Sequence, residues 1–326
     1  MSFWGSLREA PAPGVAVEIA AGRVSGASLD WRGGKPVVAA HALEPLPDGA
    51  LVPSLTAANT HDRAAVSTAL NRVMEKLGRP RRIGLVVPDV VAKVSLIKFE
   101  KIPSRAQDLD QLVRWQVRKS APFPIDEAQV SYVTGQRLPD GQELIVSLAR
   151  RSVIEEYEQL CAEAGAYAGL VDLATFNVVN AVLAGSSSSP TRADEDWLLV
   201  SVAADSASIA LLRGRHLIFF RNRAAETDGT LADLVHQTAM YYQDRLQGAG
   251  FARVLLAGGT GARVVADLDQ VRNTLEERLT APVTAVDPRA AVAIADRISA
   301  SPALLDMLTP LVGLLLRDRT AAMVPA

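Results

Sequence analysis

The chain carries one pattern twice, and that repetition narrows its fold more than any other feature. Residues 17–38 read VEIAAGRVSGASLDWRGGKPVV, and residues 200–218 read VSVAADSASIALLRGRHLI. Each stretch is an apolar strand ending in Ala-Ala, a short polar turn, a second apolar strand, a basic turn with glycine and a third strand. The second turn is Arg32-Gly33-Gly34 in one copy and Arg213-Gly214-Arg215 in the other. Both place glycine where a tight hairpin needs positive φ. Two such meanders, each opening one half of the chain, predict a duplicated two-lobed α/β fold. The cleft between the lobes is then the default ligand site.

At 326 residues the chain has room for two or three domains. Its 49% apolar and 21% charged residues are the balance of a globular protein, neither disordered nor disulfide-built. A net charge of −2 and a pI of about 6.1 give no basic field for nucleic acid. The single cysteine, Cys161, shares a helical pattern with Tyr157, Leu160 and Ala164. It reads as a buried bystander, in keeping with the cytoplasm. No apolar run reaches the length of a membrane span, and the best candidate, Leu308–Leu316, is short and follows Asp306. Arg8, Glu9 and the early prolines and glycines are unlike a signal peptide. Phe3, Trp4 and Leu7 read as a frayed leader. Membrane association is therefore expected only through a partner.

Along the chain, Leu46–Thr60 reads as a loop. A helix with Val66, Leu70, Val73 and Leu77 on one face follows, stopped by Gly78 and Pro80. Ile83–Val87 is a continuous apolar strand, suited to a sheet covered on both faces. Residues 92–168 read as an inserted αβ subdomain. Its order is a strand at Val94–Ile97, a helix at Asp108–Ser120, strands Gln129–Gln136 and Glu143–Ala149 around the turn Pro139-Asp140-Gly141, and a helix at Val153–Ala164. Leu170–Ala184 returns to the first lobe as a helix-rich segment. Gly185–Pro190 is a serine-rich linker. The second lobe adds a long helix Leu231–Leu246, a strand Arg253–Ala257, the glycine turn from Gly258, a further helix, a strand Val283–Val286 and an apolar closing helix. The expected division is 1–91 with 169–190, 92–168, and 191–326.

The four histidines lack metal-ligand spacing, and no nucleophile elbow or Walker A loop is present. Glu155-Glu156 and Glu276-Glu277 lie in helical patterns and read as solvated faces. Basic residues cluster at Arg79–Arg82, at Lys93, Lys98 and Lys101, and on the insert's helix at Arg114, Arg118 and Lys119. Trp115 falls among them on the polar side of that helix, an interface candidate.

These landmarks resemble the actin-like superfamily, whose ribonuclease H-like lobes occur in sugar kinases, heat-shock chaperones and FtsA. Within it the chain is most similar to the PilM family of type IV pilus assembly proteins. Three stretches carry the resemblance. The first is Ile102-Pro103, then a helix, then Ser120-Ala-Pro-Phe-Pro-Ile-Asp-Glu-Ala-Gln-Val-Ser-Tyr132. The second is Ala164-Gly165 with Leu170-Val-Asp-Leu-Ala-Thr-Phe176. The third is Leu255–Gly259, Leu279–Val283, Asp287-Pro288 and Pro310–Leu314. The resemblance implies a scaffold at the cytoplasmic face of the inner membrane. A groove between the first lobe and the insert would bind the cytoplasmic N-terminal segment of a PilN-like membrane protein, itself paired with PilO. The motor ATPase and the platform protein are implied as further partners. Lys98, Trp115, Arg118, Phe123 and Pro124 are the expected partner-binding residues. The cytoplasmic domains of GspL proteins of type II secretion are the nearest alternative.

The same resemblance implies ATP and Mg²⁺ as cofactors, held between two phosphate turns and an adenosine-side loop. By position these would be Glu18, Ala20, Gly22 and Arg23; Ala203, Asp205 and Ser206; and Gly258, Gly259 and Thr260. The family pattern asks for Asp near a metal and for Gly where the backbone approaches phosphate. Glu18 and Ser201 stand at the acid positions, and Ala20 and Ala203 at the glycine positions. Asp228-Gly229 also runs almost directly into the long helix, so the outer subdomain of the second lobe is reduced. The expectation is a degenerate nucleotide fold kept as a binding scaffold. The competing readings are an ATPase or small-molecule kinase using the cleft, and an FtsA-like polymerising protein.

Overall fold

The computed structural model describes residues 13–186, 195–204, 206–224, 230–259, 268–279, 281–296 and 298–322. The first meander forms β1 (Val15–Ala20), β2 (Arg23–Arg32) and β3 (Lys35–Pro45), antiparallel neighbours. Gly33 and Gly34 take φ of 56° and 77°, the left-handed values a short hairpin needs. Helix α1 (Arg63–Lys76) is capped by the Asp62 carboxylate, which accepts from the Ala65 amide, and ends at left-handed Gly78. Strand β4 (Arg82–Val87) then runs parallel to β1.

The insert contributes β5 (Ala92–Phe99), α2 (Ala106–Val117), β6 (Ala128–Leu138) and β7 (Gly141–Arg150), its strands forming a three-stranded sheet in the order β5-β7-β6. Alternation sorts β7 cleanly. Leu144, Val146 and Leu148 pack with Val113 and Val117 of α2, while Ile145 points to the opposite face. Helix α3 (Arg151–Glu163) follows. The sequence grouped it with the insert, but Val153, Tyr157, Leu160 and Cys161 join the core of the first sheet beside Leu70 and Ile83. Its apolar stripe is matched to that sheet. Burial, with Glu158 adding to it, pushes the Cys161 thiol up to about 12, which leaves it inert. Glu156 is not a solvated acid either, because its carboxylate accepts from the Asn59 and Thr60 amides.

Strand β8 (Tyr167–Leu173) runs parallel to β4, although residues 170–173 read from sequence as the start of a helix-rich segment, and α4 (Ala174–Gly185) follows. The second meander is β9 (Asp196–Val202), β10 (Ser206–Arg213) and β11 (His216–Ala224), and it pairs as the first does. Helix α5 (Leu231–Leu246), β12 (Arg253–Gly258), α6 (Leu268–Leu279) and β13 (Val283–Ala285) complete a five-stranded sheet ordered β11-β10-β9-β12-β13. Glu276 accepts from the Val283 amide, so it too is engaged rather than solvated.

The last segments do not stay with the second lobe. Strand β14 (Ala293–Ile294) pairs with β3, giving the first sheet the order β14-β3-β2-β1-β4-β8. Helix α7 (Pro302–Ala322) lies on the same sheet, where Leu308, Leu311, Val312 and Leu315 meet Ala16, Ala27, Val38 and Val86. Small residues let it settle closely. A Cβ on Gly84 would come within 2.6 Å of Leu314, and one on Gly313 within 1.7 Å of the Asn177 carbonyl oxygen. The first sheet is thus covered on both faces, by α1 and α3 on one side and α7 on the other.

Candidate functional site

Two places combine side chains from several elements. The first is the interlobe cleft, where the two meander turns meet the end of β12. Alternation sends Ala16 and Glu18 of β1 to the α7 side of the sheet. Glu18 is 4% exposed and accepts hydrogen bonds from Arg23 Nε at 3.2 Å, Arg23 Nη2 at 3.0 Å and Ser25 Oγ at 3.0 Å. The Glu18 carboxylate, and Asp306 of α7 behind it, raise the Arg23 guanidinium above its ordinary value. Asp306 Oδ1 in turn accepts from the Gly258 amide at 2.5 Å. Gly258 has φ of 82°, and a Cβ there would fall 1.8 Å from the Val202 carbonyl oxygen. Only glycine allows β12 to end against β9 in this way. The Gly259 amide donates to Val202, and the Ala203 amide to the Ser206 carbonyl. Ala20 and Gly22 lie at the turn of the first hairpin, with Gly22 at φ of 82°. Thr260 and Asp205 lie outside the described residues.

Removing Arg23 leaves Glu18 buried with one hydroxyl donor. Arg23→Ala is expected to cost about 2–4 kcal/mol in a urea melt. A double change to methionine, at Glu18 and Arg23 together, is expected to recover most of that loss, since it removes both charges.

Below the turns, Asp89 ties the lobes together. Its carboxylate accepts from the Thr175 amide at 3.0 Å, Thr175 Oγ1 at 2.5 Å and Ser208 Oγ at 2.6 Å, and its carbonyl accepts from Asn222 Nδ2 at 2.7 Å. Thr175 belongs to α4, whereas Ser208 and Asn222 belong to the second meander. Burial pushes the Asp89 carboxyl above its usual range, against the pull of these hydrogen bonds and with the Glu18 charge adding to the rise. A carboxyl whose pKa is raised on folding binds its proton more tightly when folded. Its contribution is therefore greatest below the unfolded value and is lost as pH rises through the folded one. Asp89→Asn is expected to flatten that part of the decline when urea midpoints are compared upward from pH 4.

The second place is a groove of about 1050 Å³ where the insert, the first lobe and the second meander come together. Strand β8 and helix α4 form one side, and the sheet face of β6 and β7 another. Helix α3 contributes Arg151, Ile154, Glu155 and Glu158 from a single stripe, and Leu212, Arg215 and Leu217 close the far end. At its border Tyr167 is 71% exposed and Val133 53% exposed. Asp172 faces Arg317 at 3.6 Å beside the groove, and burial still raises its carboxyl above the ordinary range.

None of the five partner residues expected from sequence borders this groove. Lys98 on β5 is exposed and pairs with Asp140. Trp115 is 66% exposed on α2, and Arg118 follows it in an exposed single turn. Phe123 packs partly buried in the insert's own core, and Pro124 opens a short turn at Ile125–Glu127. Of the groove residues, Glu155 was read from sequence as part of a solvated face, and Tyr167, Val133 and Glu158 were not singled out. The stretch YAGLVDL carries no lysine or proline, but nothing local marks it as a sheet edge.

Among the described residues no group of three or more His, Cys, Asp or Glu side chains is placed to hold a metal. No described helix is long and apolar enough to cross a membrane.

Comparison with known proteins places the architecture. A solved PilM-PilN type IV pilus biogenesis complex superposes with a TM-score of 0.78 at 19% identity, over 94% of this chain and 99% of that one. A Bacteroides thetaiotaomicron protein with actin-like ATPase fold and unknown function gives 0.49 at 10% identity, over 83% and 90%. The cytoplasmic domain of EpsL, an inner-membrane component of the type II secretion system of Vibrio cholerae, gives 0.47 at 10%, over 96% and 95%. The duplicated two-lobed α/β fold with its insert is actin-like. A family description of the type IV pilus assembly protein PilM matches residues 16–230, well over half of the chain. The chain belongs to the PilM family of type IV pilus assembly proteins.

Proposed function

We propose that this protein is a scaffold of the type IV pilus machine whose working site is the groove beside β8. The groove takes the cytoplasmic N-terminal segment of a PilN-like membrane partner, and the protein is thereby held peripherally at the inner membrane. The observation that carries this reading is the exposure of Tyr167 and Val133 at the border of a groove walled by three parts of the molecule. Large apolar side chains left in water around a concavity mark a protein interface. The solved complex that superposes on the chain contains a PilN partner, which supports the same assignment.

The interlobe cleft is, in this reading, a degenerate nucleotide site. The described residues of the cleft argue against Mg-ATP. The carboxylate of Glu18 is committed to Arg23 and Ser25, and the Gly258 and Gly259 amides already donate internally. In this reading the Glu18–Arg23 pair and the bond from the Gly258 amide to Asp306 make the cleft a structural joint between the lobes.

Calorimetric titration with a synthetic peptide tests both halves. The probe is the N-terminal cytoplasmic segment of the PilN-like protein from the same organism. Saturable one-to-one binding is expected, with an affinity unchanged by Mg-ATP. Absence of binding, or binding that requires Mg-ATP, would overturn the reading.

A further inference from the structure

Helix α2 has one face that its own subdomain does not use. Val113 and Val117 are buried in the insert's core, and Leu109 and Leu112 pack against them. These four recur at the spacing of one helical stripe and account for the docking of the helix on its sheet. The opposite face carries Gln107, Asp108, Gln111, Trp115 and Gln116, all exposed. Trp115 is 66% exposed and lies outside the insert's core.

Bases gather at the C-terminal end of this face. Arg118 and Lys119 stand one turn on from Trp115, in the exposed single turn that continues the helix. Lys93 reaches the same end from β5, where its ammonium donates to the Ser120 carbonyl at 2.8 Å. Neighbouring acids are engaged elsewhere. Asp110 is held by Arg114 at 2.9 Å and Glu127 by Arg150 at 2.8 Å. Arg118 and Lys119 have no ion pair among the described residues. The whole chain has a net charge of −2, so this end of the insert is a local reversal of sign.

The company that Trp115 keeps separates two kinds of partner. A protein interface centres on several apolar side chains that lose water together. On the exposed face of α2 the indole has only glutamines, an aspartate and bases beside it, and no other large apolar side chain of that helix is exposed. One indole among cations suits an anionic lipid surface, where the ring settles at headgroup level and the cations meet phosphates. We propose that the C-terminal end of α2 docks directly on anionic lipid headgroups, with Trp115 at the headgroup level and Lys93, Arg118 and Lys119 set against the phosphates. The contact is separate from the groove. Three bases and one ring make it a weak contact, one that reinforces a membrane partner and does not replace it.

Cosedimentation of the full chain with vesicles tests this without any peptide. Binding is expected to vesicles of phosphatidylcholine with phosphatidylglycerol, to weaken with added salt, and to be lost on phosphatidylcholine alone. Arg118→Gln combined with Lys119→Gln is expected to weaken binding by about tenfold and to reduce its salt dependence. Trp115→Ala is expected to weaken binding several-fold while leaving the salt dependence and the thermal melt unchanged, since the ring is outside the core. Equal binding to both kinds of vesicle, or anionic binding that neither variant weakens, overturns the proposal. A protein that ignores both vesicles, yet is retained on immobilised poly-glutamate through Trp115, overturns it too and assigns the face to an acidic protein.

Discussion

A Gly313→Val variant is expected to give almost no folded protein. Helices α4 and α7 cross where Gly313 faces Asn177, and any Cβ there would lie 1.7 Å from a backbone carbonyl oxygen. A carbonyl in a helix cannot swing aside as a flexible side chain can, so α7 must lift away from α4. That helix also supplies Leu308, Leu311, Val312 and Leu315 to the covered face of the first sheet. Lifting it exposes several leucine-sized side chains at about 1.5–3 kcal/mol each, which together reach the whole stability of a typical domain. Circular dichroism and the soluble yield at growth temperature measure the outcome. A Gly313→Ala variant with a wild-type melt would show that the crossing has room the structure does not give it.

The second large effect is expected at the groove. Val133→Asp combined with Tyr167→Asp places carboxylates on the two exposed apolar positions of its border. Both residues are already solvated, so the fold is expected to melt as the unaltered protein does. Affinity for the PilN-like peptide is expected to fall by about 30-fold or more, the scale of losing one interface hot spot. Trp115→Ala, on the exposed face of α2 and away from the groove, is expected to leave that affinity unchanged. The reverse pattern would move the binding surface to the insert's helix.

Local periodicity made much of the architecture legible before any coordinates. The meanders, the helices α1 and α5, and the strands β4, β6 and β7 follow from alternation, helical spacing and glycine punctuation, all of which act within a few residues. What sequence misassigned depends on contacts between distant segments. Helix α3 and the terminal pieces β14 and α7 have unremarkable local patterns, and only packing shows that all three belong to the first sheet. Strand β8 resembled the start of a helix-rich stretch because its apolar run is short and continues into α4. The expected nucleotide residues gather in one cleft where described, but the Asp306 charge that acts on Arg23 comes from almost three hundred residues away. The expected partner residues were taken from the basic and aromatic residues of the insert and from its Pro-Phe-Pro stretch. The groove lies instead beside β8 at the end of the first sheet, and sheet order is a property that composition does not encode.

Photo-crosslinking of the bound peptide locates the guest most directly. A benzophenone side chain placed in turn along the PilN-like segment reports which residues of the protein lie against it. Crosslinks confined to β8, the face of β6 and β7, and the stripe of α3 that carries Glu155 and Glu158 are the result expected of a peptide held in the groove. Crosslinks gathered on α2 around Trp115, or in the interlobe cleft near Arg23 and Gly258, would contradict it.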